Sequence, residues 1–166
     1  LAKERTVKNF TIPANKGNVY SADGSLLATS IPEYSIYFDA VAPSSELFKE
    51  NIQALSDSLS VMFGKSSGHY QAKLQKARAN KSRYLFIAKK LSYTEQMRLK
   101  SFPLFNKGAN KGGLIIEQKI VREHPIGLVA KRTIGYERSN EDGKGLEYAF
   151  RDYLNGKNGH RMMQKI

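Results

Sequence analysis

The longest helical periodicity in this 166-residue chain sits in one block, and the strands around it do not alternate with helices. Pro43-Ser44-Ser45 opens the block, and Ile52, Leu55, Leu59 and Met62 then recur along one helical face to about Phe63. A second helix is expected from near Ser67, with Tyr70, Leu74 and Ala77 on one side. Ahead of the block come an extended TVKNFTI at 6–12, ended by Pro13, and two short strands in NVYSADGSLLATS at 18–30. Asp23-Gly24 supplies the positive φ angles of a tight hairpin turn. YSIYFDAV, at 34–41, alternates like a further strand.

Behind the block, 83–91 reads as a strand, and Ser92 to Glu95 forms a capping box for a helix ending before Pro103. Residues 113–123 are the strongest late strand. Pro125 suits the first turn of a short helix to about Ile134, and 145–154 reads as another helix. NGKNGH then makes a turn into residues 161–166. Mixed elements without a βαβ rhythm predict an α+β fold.

The length allows one domain, or one domain with a lobe, and a sizeable core. No apolar run approaches the roughly 18 to 20 residues that span a bilayer. LAKERTVKNF lacks the apolar centre of a signal peptide, so a targeting segment is expected to be removed or to lie outside this sequence. The absence of cysteine excludes disulfides, thiolate zinc sites and cysteine catalysis. The formal net charge is +12, and its placement matters more than its sum. Residues 65–111 hold twelve Lys or Arg against Glu95 alone, a surplus of +11, while the rest of the chain is close to balance. Such a stretch attracts a polyanion: phosphate backbone, anionic lipid or an acidic partner.

Catalytic motifs fail on their context. GKSSG at 64–68 has the letters of a Gly-x-Ser-x-Gly nucleophile elbow, but that turn needs a buried strand feeding it. Here a helix precedes it and another follows, so Ser66 or Ser67 is expected to cap a helix. A hydrolase built on Ser66 needs a histidine in reach, and His69 lies around the side of the same helix. A phosphate-binding loop fails too, because its first glycine falls on Leu59. His69, His124 and His160 lack metal-ligand spacing, and no metal is expected. Glu141-Asp142 in a polar loop and Glu147 on a helix do not make an acid/base pair. Tyr70, Tyr84, Phe86, Tyr93, Phe102 and Phe105 interleave with the basic residues, but their spacing is that of core side chains rather than a stacking platform.

Three stretches carry a resemblance: NKGNVYSADGSLLA at 15–28, VREHPIGLVAKRTIG at 121–135 and GKGLEYAFRDYLNGKNG at 143–159. In order and spacing they resemble the N-terminal pedestal, or dimerisation domain, of class B penicillin-binding proteins. That family opens with Arg-Gly-x-Ile-x-Asp-x-x-Gly-x-x-Leu-Ala, continues with Arg-x-Tyr-Pro-x-Gly-x-x-Ala ending at a Gly, and closes with Gly-x-x-Gly-Leu/Ile-Glu before Leu-x-Gly-x-x-Gly. Here the first Arg is Lys16, the Tyr before Pro125 is His124, and the Gly-x-x-Gly becomes Gly143-Lys144-Gly145. The structural motif residues carried over are Lys16, Gly17, Asp23, Gly24, Arg122, Pro125, Gly127, Gly145 and Glu147. Gly17, Gly127 and Gly145 are read as positions needing special angles or close approach. Lys16, Arg122 and Glu147 are expected to converge as an ion-pair cluster, a weaker clasp than with Arg at position 16 because an ammonium lacks the planar fork.

The resemblance implies an elongated α+β pedestal of hairpins and extended strands with a helix-containing head lobe. The whole of 1–166 is then non-catalytic, with a basic head lobe at 44–112 and a strand-rich base at 1–43 and 113–166. The family's Ser-x-x-Lys, Ser-x-Asn and Lys-Thr/Ser-Gly motifs are not found here. What the family implies is a scaffold for a peptidoglycan D,D-transpeptidase, with no cofactor. Its implied place is the periplasmic face of the bacterial cytoplasmic membrane, held by an upstream helix. Its implied partners are the transpeptidase domain of the same parent chain, a SEDS-type glycosyltransferase, elongation or division proteins, and a second copy in a homodimer. Lys73, Lys76, Arg78, Lys81, Arg83, Lys89 and Lys90 are the expected contacts to a partner or to an anionic membrane surface. The competing reading is a free-standing basic domain that binds nucleic acid or another polyanion.

Overall fold

Ser44 starts the first long helix for a simple reason: its hydroxyl accepts the Leu47 N–H and so satisfies one of the donors left open at a helix start. In the computed structural model, which describes residues 7–139 and 142–164, that helix follows three strands. They are β1 (Val7–Ile12), β2 (Val19–Tyr20) and β3 (Leu26–Phe38). Next come α1 (Ser45–Phe63), α2 (Ser67–Ala79), β4 (Leu85–Leu91) and α3 (Tyr93–Lys100). A 3-10 turn at Phe105–Lys107 and α4 (Gly108–Gly112) lead into β5 (Leu114–Glu123). The last elements are α5 (Lys131–Ile134), β6 (Tyr136–Ser139), β7 (Asp142–Lys144), α6 (Gly145–Ala149), α7 (Arg151–Leu154) and β8 (Gly159–Gln164). The fold is α+β, as expected. Thr6, Glu141 and residues 165–166, which the sequence assigns to a strand, a polar loop and the final segment, lie outside the described residues.

The chain forms two compact units: the described residues up to Ile31 together with those from Ile120, and Pro32–Lys119. The second contains Pro32–Pro43 and Gly113–Lys119, which the sequence reading counts with the base. They are held there because β3 pairs with β4 from Phe38↔Leu85 to Tyr34↔Leu91. Asp39 N–H also donates to Gly113 O at 2.7 Å. Phe48, Ile52, Leu55 and Leu59 of α1 and Tyr70, Leu74 and Ala77 of α2 bury one face each against Ile36, Phe38, Ile87 and Leu114. Full burial of such a side chain contributes about 1.5–3 kcal/mol. Ser56 is buried among them, with its hydroxyl donating to Ile52 O at 2.7 Å. Ser92 and Glu95 make the expected capping box at α3.

In the first unit β1 and β8 pair antiparallel from Val7↔Gln164 to Ile12↔Gly159. Here β2 pairs with the start of β3, and β6 pairs with β7.

Four local expectations need correction. The Asp23-Gly24 turn is not a two-residue turn with two positive φ angles: only Gly24 (φ 83°) takes one. Ser21–Gly24 is closed by Gly24 N–H to Ser21 O, and Ser21 N–H reaches Ser25 O at 2.9 Å, giving a three-residue loop with a left-handed glycine. The separate strands near Ala28 and Tyr34 are one strand, β3, because Pro32 falls between the residues paired to β2 and those paired to β4. Pro125 does not open a helix. It takes the second position of a turn closed by Gly127 N–H to His124 O at 2.9 Å, where its fixed φ is equally suitable, and only Lys131–Ile134 is helical. The helix at 145–154 is two short ones, since Phe150 (φ −106°, ψ 22°) leaves the helical region.

Candidate functional site

Glu147 lies in the first turns of α6 with its side chain 2% exposed, and a carboxylate so buried requires cations. Two are supplied from distant parts of the chain. Arg122, on β5, donates from Nε to Glu147 Oε1 at 2.8 Å, and its Nη2 lies 2.6 Å from the same oxygen. Lys16, between β1 and β2, donates from Nζ to Glu147 Oε2 at 3.2 Å. Its ammonium also bonds Glu137 Oε2 on β6, so one lysine bridges two carboxylates. Arg122 Nη1 reaches Ser30 Oγ on β3 at 3.0 Å, and Asn155 Nδ2 donates to Glu137 Oε1 at 3.1 Å. The Lys16 hydrogen bond holds the Glu137 carboxyl below its usual range, against the opposing effect of burial.

The backbone prepares this cluster. Gly145 starts α6 at φ 71°, and a Cβ there would fall 2.4 Å from Thr133 O and 2.9 Å from Gly135 N. Gly135 (φ 70°) meets the same crossing from the other side, where an added Cβ would fall 1.8 Å from Lys144 O. Two glycines therefore allow the chain crossing that presents Glu147 inward. Gly17 differs from expectation: its φ is not positive, and a Cβ there meets only ordinary contacts with Leu154. Its part is a backbone bond, N–H to Leu154 O at 2.8 Å. Gly127 (φ 64°) has open space around it and serves the His124 turn.

Lys16, Arg122, Glu147, Gly17 and Gly145 thus belong to one locality in the first unit. Asp23 and Gly24 lie in the hairpin loop, where Asp23 accepts from Ser21 Oγ, a bond that lowers its carboxyl pKa, and from Ser25 N–H. Sequence reasoning missed Glu137, Ser30 and Asn155. Among the described residues the cluster is held by ion pairs and hydrogen bonds between distant parts of the chain, which is the chemistry of a clamp.

The basic residues of the Pro32–Lys119 unit divide. Arg78 is turned inward: Nη1 donates to Ala40 O at 2.7 Å and Pro43 O at 2.6 Å, and Nη2 to Ser45 Oγ at 3.2 Å. It fastens the end of α2 to the start of α1. Lys76, Lys81, Arg83, Lys89 and Lys90 are exposed, and Lys73 is half-buried with its ammonium 5.7 Å from the Phe86 ring centre. Of the six interleaved aromatics, Tyr70, Phe102 and Phe105 are core, but Tyr84, Phe86 and Tyr93 are exposed, which corrects the expectation that all six pack inside.

Ser66 caps α2, accepting the His69 N–H at 3.3 Å, and Ser67 Oγ bonds Asp57. His69 sits edge-on to Tyr70, so GKSSG works as a helix joint. Among the described residues no group of three His, Asp or Glu is placed to hold a metal, and no helix is long and apolar enough to cross a membrane.

Known proteins are similar to this chain in sequence and in fold. The probable peptidoglycan D,D-transpeptidase PenA of Neisseria meningitidis (serogroup A / serotype 4A) is 27% identical over 158 residues, 93% of this chain and 24% of PenA. Penicillin Binding Protein 2X from Streptococcus thermophilus superposes with a TM-score of 0.67 at 22% identity, covering 92% of this chain and 24% of that one. The Helicobacter pylori complex of PBP2 with MreC gives 0.52 at 18% identity, over 96% of this chain and 32% of the other. The chain spans about a quarter of the length of PenA and of the thermophilus protein. The family of the Penicillin-binding Protein dimerisation domain matches residues 11–165, the span that holds Lys16, Arg122, Glu137 and Glu147, and the chain belongs to that family.

Proposed function

We propose that this chain is the non-catalytic scaffold of a peptidoglycan D,D-transpeptidase, setting the position of the catalytic domain and contacting other cell-wall proteins. The observation that carries this reading is the family match over residues 11–165. The Glu147 clamp is in keeping with a structural role, since Lys16, Arg122 and Glu147 come from the three separate stretches of family pattern and meet as one ion-pair cluster. The scaffold works at the extracytoplasmic face of the bacterial membrane, the parent chain being anchored by an upstream helix. Its strand-rich base steadies the catalytic domain, and its basic head meets a SEDS-type glycosyltransferase or another elongation or division protein. A relative whose solved form is a complex with MreC supports a protein partner over a nucleic acid.

Fluorescent penicillin tests the catalytic half: the full-length parent is labelled covalently and the 166-residue chain is not. Labelling of the chain, or failure to label the parent, overturns the assignment. Capture from detergent-solubilised membranes by the full-length parent tests the partner half. Arg83→Glu with Lys89→Glu reduces recovery of the glycosyltransferase while penicillin labelling persists; unchanged recovery counts against the basic head as the contact.

A further inference from the structure

Within the Pro32–Lys119 unit the sheet has two unlike faces. Ile36 and Phe38 of β3, Leu85 and Ile87 of β4 and Leu114 and Ile116 of β5 pack in or against the core. By strand alternation Tyr37, Phe86 and Glu117 stand on the other face, joined by Tyr84 just ahead of β4. That face is aromatic and open: Tyr84 is 51% and Phe86 43% exposed. The rings are organised, not scattered. Tyr37 stacks on Tyr84 with centres 4.0 Å apart and planes at 18°, and meets Phe86 edge-on at 5.8 Å.

The charges beside the rings are unequal. Glu117 is the carboxylate at the patch, and it is engaged by the Tyr84 hydroxyl. Lys73 holds its ammonium over Phe86 and makes no salt bridge among the described residues. Lys119 follows Glu117 on the same face of β5 and is exposed. Around them runs the 65–111 stretch with its surplus of +11. Large aromatic side chains left in water, rimmed by polar groups, mark an interaction site, and aromatics are the usual anchors of one. The field of this unit draws in an acidic partner and repels a basic one.

We propose that the Tyr37–Tyr84–Phe86 face docks an acidic, extended segment of a partner protein, its apolar side chains on the rings and its carboxylates toward Lys73 and the basic surround. The inference rests on the reading of this chain as a partner-contacting scaffold and names the chemistry of the partner.

The test uses the 166-residue chain and a nine-residue peptide of alternating Glu and Leu or Val, with the same peptide carrying Lys for Glu, and chitotetraose as a neutral glycan. Isotope-labelled protein is titrated and the amide shifts followed by NMR. The acidic peptide is expected to move the amides around Tyr37, Tyr84 and Phe86 and to bind well above the lysine peptide. Tyr84→Ser and Phe86→Ser should each weaken it about tenfold, the loss typical of an anchor. Lys73→Glu, which leaves the rings in place, gives a second and separate loss. Binding that ignores the ring substitutions, or shifts on the face caused by chitotetraose but not by the acidic peptide, overturns the proposal, as does no binding at all. Loss of partner capture by the full-length parent with peptide binding intact counts instead against the scaffold reading.

Discussion

Around Glu147 two partly buried cations meet two buried carboxylates, whereas along α2 and β4 Lys76, Lys89 and Lys90 stand in solvent with no acid paired to them among the described residues. Both regions are charged, yet the charge does different work. In the first, removing one member strands the others in a place where an unpaired ion is costly. In the second, each charge is hydrated and its loss is felt only by something that comes from outside. Arg78 shows that sequence position does not decide which kind a residue is. It belongs to the basic stretch, but its guanidinium is spent on two backbone carbonyls and a hydroxyl.

Breaking the clamp should have the largest effect. Glu147→Ala leaves Arg122 and Lys16 without their shared carboxylate and is expected to destabilise the chain by about 3 kcal/mol, read from urea unfolding. A change below a few tenths of a kcal/mol would mean that the cluster is as hydrated as the exposed lysines, and the contrast would vanish.

Arg78→Ala should come next, at about 2 kcal/mol, because three acceptors lose a charged donor. Arg78→Lys is expected to recover only part of this, since an ammonium cannot match the planar fork. If Arg78→Ala behaved like an exposed charge, its inward bonds would carry no weight.

Acid sharpens the comparison further. Glu137 has its carboxyl pKa depressed by Lys16, so its contribution is fully present above the ordinary glutamate value and is lost as pH falls through the lower folded value. Unfolding midpoints should therefore decline below about pH 4.5, and Glu137→Gln should flatten that decline. An unchanged acid profile in the variant would detach Glu137 from the clamp's stability.

The smallest expected effect is on the exposed side. Arg83→Glu with Lys89→Glu should leave stability within about 0.5 kcal/mol, measured by thermal unfolding. A larger loss would show that these side chains hold the unit together rather than face a partner.

Much of this division was legible before the fold. The face of α1 followed from Ile52, Leu55 and Leu59, and Lys16, Arg122 and Glu147 stood out because each lies in a stretch of family pattern. Glu137 did not, because YERS is a four-residue strand beside charged, loop-like residues, and its pairing with Asp142–Lys144 is visible only in three dimensions. The turn at Pro125 was missed because proline's fixed φ serves a helix start and a turn equally well. The exposed aromatics escaped for a related reason: alternation places Tyr84 and Phe86 on one face but not which face the helices cover.

The antiparallel pairing of β1 with β8 bears on the order in which the molecule is made. Ile12 lies opposite Gly159, and Ala14 N–H is held by Asn158 Oδ1 at 2.9 Å, so a strand synthesised early waits for a partner translated long afterwards. The Pro32–Lys119 unit, contiguous in sequence, has everything it needs to collapse in the interval. Once collapsed, it shortens the loop that β1 and β8 must close. Ribosome-bound chains cut before residue 159 should therefore hold a folded middle between unpaired ends, and closing those ends is the late step of folding.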